Sequence, residues 1–82
     1  MDEHNLIEMV NRIGEFFDSM PDREEALDSI ADHVRRFWEP RMRRVLLASL
    51  DKPSAVEQMH EIVHAALVKH REDLTPKAAA AA

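Results

Sequence analysis

The sequence predicts an all-α fold, a small bundle of three to four short amphipathic helices forming one domain over residues 1–77. Apolar residues recur at helical spacing in successive stretches, and prolines at positions 21, 40 and 53 punctuate those stretches. The composition agrees: 45% hydrophobic, 33% charged, one glycine and no tyrosine suit compact helices rather than sheets or disorder. An 82-residue chain covers only about 60% of its unfolded surface when it folds, so a shallow core is expected and a deep catalytic cleft is not.

The first helix is expected from Leu6 to Met20, where Leu6, Met9, Val10, Ile13, Phe16, Phe17 and Met20 share one face. Gly14 lies inside it and costs about 1 kcal/mol relative to alanine, which predicts that another helix or a partner comes close there. Pro21 interrupts. Asp22, followed three residues later by Glu25, has the form of a capping box and opens a second helix near Arg23. On that helix Leu27, Ile30, Val34 and Phe37 form a stripe with Trp38 at its edge, so the aromatics are expected inward and Arg35 and Arg36 outward.

The stretch RRFWEPRMRR, Arg35 to Arg44, forms the corner around which the chain is organised. The Pro40 ring fixes φ and biases Glu39 away from the α region, so the second helix stops near Trp38. Pro40 then suits the first position of a third helix running to about Leu50. There Met42, Val45, Leu46, Ser49 and Leu50 lie together, while Leu47 falls opposite, framed by Arg43 and Arg44 as a docking surface. After a turn at 51–53, Ser54 and Glu57 repeat the capping pattern. They open a fourth helix to about Arg71, with Val56, Met59, Val63, Ala66, Leu67 and His70 as its stripe. Short connections favour consecutive antiparallel neighbours. Residues 72–77 read as frayed, and the alanines at 78–82 form a low-complexity tail outside the fold.

Net charge is −5, and its distribution says more than its total. Residues 1–34 carry ten acids against two arginines, whereas residues 35–52 carry six bases against two acids. The acidic half would repel phosphates, so a cationic corner facing an acidic protein surface is favoured over a nucleic-acid binder. The alternative is a free-standing regulatory or nucleic-acid-binding module using the same corner. No cysteine is present, which removes disulfides, thiolate zinc and iron–sulfur ligation by this chain. No apolar run approaches a membrane span, and the acidic start does not resemble a signal peptide.

One motif suggests chemistry. His60, Glu61 and His64 match H-E-x-x-H, in which two imidazoles one turn apart bind zinc and the glutamate activates water. A third ligand is missing. In a continuous helix His70 would stand about 15 Å along the axis from His60 and on another face, so it could not reach the same ion. The expectation is that His60 and His64 border the apolar face, that His70 caps a helix C-terminus, and that the chain holds no catalytic, cofactor or metal site.

Met9, Asn11, Ile13, Gly14, Phe16 and Phe17, then Pro21, Ile30, Ala31, His33, Arg36, Phe37, Trp38, Pro40, Arg41, Met42 and Arg43 carry a family resemblance. The combination N-x-I-G-x-F-F with R-F-W-x-P-R-M-R resembles the delta subunit of NAD-dependent formate dehydrogenase, over about Leu6 to Leu50. The resemblance implies a cytoplasmic, non-catalytic accessory subunit without a cofactor of its own. It further implies a large alpha subunit holding a molybdenum or tungsten bis-guanine-dinucleotide cofactor and iron–sulfur clusters, with beta and gamma subunits passing electrons through FMN to NAD. Partner contacts are expected at Arg36, Trp38, Arg41, Arg43, Arg44 and Leu47, on the alpha subunit. Arginine's planar fork suits carboxylates and carbonyls there.

Overall fold

The computed structural model describes residues 2–77; the alanine tail at 78–82 lies outside the described residues. Those residues form an all-α fold of six α-helices and one 3₁₀ turn: α1 Glu3–Phe17, α2 Arg23–Phe37, α3 Pro40–Ala48, the 3₁₀ turn Ser49–Asp51, α4 Pro53–Gln58, α5 Glu61–Lys69 and α6 Arg71–Leu74. The bundle class matches the sequence reading, with the expected fourth helix divided into α4 and α5 and a further short helix, α6, following it.

Local chemistry accounts for most of the starts. α1 begins earlier than its apolar stripe because the Asp2 side chain accepts from the His4 amide at 3.1 Å, capping an otherwise unpaired donor. Asp22 does the same for α2, accepting from the Glu25 amide at 3.3 Å. Pro40 is the first residue of α3, after an extended Glu39. α4 corrects the expectation at Ser54: the helix starts one residue sooner on Pro53, and its N-cap is Lys52, with no side-chain cap bond. Proline at the first position lacks one of the amides that a helix start leaves unpaired, and its φ is already helical.

Packing departs from consecutive pairing. α1 touches α2, α3, α4 and α5, whereas α2 packs most extensively on α5, and α3 lies against α1 and α6. The core comprises Leu6, Ile7 and Val10 of α1, Leu27, Ile30 and Val34 of α2, Leu46 and Leu47 of α3, and Ile62, Val63, Ala66 and Leu67 of α5, closed by Leu74. Buried Ser49 satisfies its hydroxyl by donating to the Leu46 carbonyl one turn back. Gly14 is buried where α1 meets α5, and a Cβ there would overlap Val63 Cγ2 and stand 3.5 Å from Ile62 Cγ2. The close approach expected at this glycine is therefore a helix of the same chain.

The break between α4 and α5 has no proline or glycine. Met59 and His60 are extended, with ψ of 140° and 147°. Asn11 of α1 bridges the gap: its Nδ2 donates to the Gln58 carbonyl, and its Oδ1 accepts from the His60 amide, both at 2.9 Å. One side chain thus serves the last carbonyl of α4 and the first free amide of α5, groups that a broken helix leaves unpaired. Asn11→Ala should lower stability by about 1–3 kcal/mol, read by urea denaturation, because both groups lose their partner. Asn11→Asp keeps only the acceptor and should fall between. A loss no larger than that of a surface substitution would remove Asn11 from this role.

Candidate functional site: an exposed aromatic and cationic face

The corner is present, but its parts are arranged differently from the helical-stripe reading. Trp38 leaves α2 in an extended conformation and is buried, 6% exposed, whereas Phe37 is 69% exposed. Trp38 takes the core place that a continuing stripe assigns to Phe37, so the expectation that both aromatics point inward is corrected for Phe37. Trp38 itself is not accessible as an anchor.

Leu47 is a second correction. It was expected to stand out between Arg43 and Arg44, yet it is only 6% exposed. Residues four apart share a helix face, and Arg43, four before Leu47, reaches α6 by donating from Nη1 to the Leu74 carbonyl at a long 3.4 Å. Residues 72–74, expected to be frayed, belong to α6, which covers this face of α3, with Leu74 fully buried. Arg43 is consequently half-buried, and its Nε has no hydrogen-bond partner.

The remaining arginines face solvent. Arg35 and Arg36 both bind Asp32, at 2.9 and 3.1 Å. Arg41 and Arg44 are exposed and form no ion pair among the described residues. Of the six expected contact residues, Arg36, Arg41 and Arg44 are thus on the surface, Arg43 is partly so, and Trp38 and Leu47 are in the core.

Beside the corner lies a feature that the sequence reading left in the core. Phe16 is 74% exposed at the end of α1, its ring 5.0 Å from that of Phe17 in an edge-to-face contact. Phe17 continues to the His33 imidazole at 6.5 Å, and His33 to Phe37 at 4.9 Å. All three phenylalanines of the chain therefore join one row of rings across α1 and α2. Full burial of a phenylalanine contributes about 1.5–3 kcal/mol, so holding two of them mostly in water forgoes a few kcal/mol in this chain alone. Single exposed apolar residues are ordinary, whereas here two of them belong to one row of rings. The signal available in the sequence was Phe16 beside Phe17: adjacent residues lie about 100° apart on a helix, and both cannot point to the same core.

The histidine motif comes apart. His60 precedes α5 and its Nε2 lies 2.7 Å from Glu15, while Glu61 pairs with Arg23 at 2.6 Å. His64 follows one turn into the helix. No group of three His, Asp or Glu that could hold a metal occurs among the described residues. His70 does end α5, with Nε2 2.7 Å from Asp28. Lys69 also binds Asp28 at 2.9 Å, and hydrogen bonds from Lys69 and His70 hold the Asp28 carboxyl below the usual carboxylate range. Lys69, bound by Glu24 and Asp28, is pushed up in turn. These pairs tie α2 to α5 and neutralise much of the acidic face of α2.

The fold and this face define a small all-α protein with exposed rings and cations beside one another. Compared with known families, the chain matches the NADH-dependent formate dehydrogenase delta subunit, FdsD, over residues 5–67, more than half of its length, and it belongs to that family. The matched range includes most of α1, all of α2, α3 and α4, the corner and most of α5. No curated protein and no solved structure matches the chain. Among the described residues, no helix is long and apolar enough to cross a membrane.

Proposed function

We propose that this chain is a non-catalytic accessory subunit of an NAD-dependent formate dehydrogenase complex, supporting assembly or stability by docking on the large alpha subunit. The redox groups expected of such a complex, the molybdenum or tungsten cofactor, iron–sulfur clusters and FMN, belong on this reading to the other subunits. The observation that carries the proposal is the solvent-facing part of the corner, where Arg41 and Arg44 project without a carboxylate partner among the described residues. Guanidinium groups so placed suit carboxylates and carbonyls on a neighbour, and arginine is enriched at the energetic centres of interfaces.

Co-purification of the tagged chain with the other subunits tests this reading. The wild type is expected to bring down the alpha subunit. Arg41→Glu with Arg44→Glu should release it while far-UV circular dichroism stays unchanged, since both side chains are exposed. Formate oxidation by the isolated chain, or the absence of any formate dehydrogenase subunit from the wild-type preparation, would overturn it. Steeply salt-dependent binding to random duplex DNA would favour the nucleic-acid module instead.

A further inference from the structure

An interface needs an apolar centre as well as a polar rim, and the side chains expected to supply it, Trp38 and Leu47, are buried in the subunit's own core. The row Phe16, Phe17, His33 and Phe37 includes the two most exposed large apolar side chains among the described residues, ahead of Val68 and Met9. Between α1 and α2 a groove of about 290 Å³ is lined by Arg12, Ile13, Phe16, Phe17 and His33, and Phe37 flanks it through its contact with the His33 ring. That volume lies at the bottom of the range for small-molecule sites, which favours a few side chains of a polypeptide over a cofactor.

Charge narrows the occupant further. Arg12 is the one charged side chain lining the groove, and it forms no ion pair among the described residues. The two carboxylates one turn from Arg12 on its own helix are already engaged, Glu8 with His4 at 3.5 Å and Glu15 with His60 at 2.7 Å. Arg36 stands one turn beyond His33 on the same side of α2, so each of the two helices places a cation beside the rings. The His33 ring forms no hydrogen bond within the described chain and can offer one outward.

We infer that this groove binds a segment of another subunit of the complex carrying two or three large apolar side chains with a carboxylate beside them, the carboxylate meeting Arg12. The inference rests on the accessory-subunit reading and adds to it a second, apolar contact surface and the chemistry of its occupant.

The test compares complexes purified through the tagged chain. Phe16→Ser with Phe37→Ser is expected to stay folded, because both rings are exposed, and to bind the complex at least about thirtyfold more weakly, as removal of an interface hot spot does. Arg12→Glu should also weaken binding, and Arg12→Lys should weaken it less. Retention of the double serine variant at the wild-type level, while Arg41→Glu with Arg44→Glu is released, would overturn the groove and leave the accessory-subunit reading standing. A wild-type chain that is dimeric by light scattering, and that the serine variant converts to monomer, would assign the groove to a second copy and overturn the inference as well. Failure of the wild-type chain to associate with any subunit would remove the reading on which it rests.

Discussion

Replacing Trp38 with alanine is expected to remove a large share of the stability of this chain, whereas replacing its neighbour Phe37 should cost almost nothing. The indole is 6% exposed at the point where α2 gives way to extended backbone, so its removal leaves a cavity that the chain must bend to fill. Tryptophan-to-alanine changes in cores cost about 3–5 kcal/mol. At roughly 0.05–0.15 kcal/mol per residue, a domain of this size has only about 4–12 kcal/mol in total. A preparation that is largely unfolded at modest urea concentrations follows. Phe37→Ala removes a ring that is 69% exposed and should stay within about 0.5 kcal/mol of wild type. The pair is diagnostic because a continuous helical stripe gives the opposite ranking, with Phe37 inside and Trp38 at the edge. Urea melts followed by circular dichroism decide between them, and equal losses at the two positions would sink the placement described above.

The same two residues show how far sequence reasoning reaches in this protein. Signals that act within a few residues were legible. Asp22 and Pro40 mark helix starts through bonds and dihedrals that belong to their own turn, and the structure has them as read. Gly14 was legible as a place of close approach, though not the identity of what approaches. Signals supplied from a distance were not. The spacing of Ala55, Met59, Ile62 and Ala66 is helical across the break at Met59, and the side chain that makes the break tolerable, Asn11, lies in α1.

The candidate site was misread for a related reason. A helical wheel reports which residues share a face, but not how many faces are covered. α3 is covered by both α1 and α6, so Leu47, opposite the main stripe, is buried. α1 ends with adjacent phenylalanines about 100° apart, of which Phe17 packs against the core and Phe16 is left exposed. The arginines were placed more reliably because an exposed cation needs no particular neighbour to stay in water. What remains accessible is therefore the cationic half of the expected patch, joined by an aromatic half that had been assigned to the core.

Gly14→Val is expected to be as damaging as the loss of Trp38, through the opposite fault. A Cβ at position 14 would occupy space already held by Val63 Cγ2, and Val63 is fully buried. Valine in a helix holds essentially one rotamer, so that methyl cannot swing aside, and relief requires α1 and α5 to separate. Overpacking of this kind costs about 1–3 kcal/mol and occasionally more, and the two further methyl groups of a valine put Gly14→Val at the upper end. Gly14→Ala is the sharper probe. Helix propensity alone would make it stabilising by about 1 kcal/mol, whereas the clash makes it destabilising by a similar amount or more. Combining Gly14→Ala with Val63→Ala removes the opposing methyl groups and should recover at least about 1 kcal/mol relative to the sum of the two single losses, as contacting residues do in a double-mutant cycle. A stabilised Gly14→Ala variant, or strict additivity in the cycle, would show that α5 does not press on α1 at this point. The clash bears on docking too. α1 holds Phe16 and Arg12 on one side of Gly14 and the Asn11 clamp on another, so displacing α1 from α5 shifts the exposed rings relative to the cations of the corner. Gly14→Ala should therefore weaken association with the complex even under conditions where circular dichroism shows the subunit still folded.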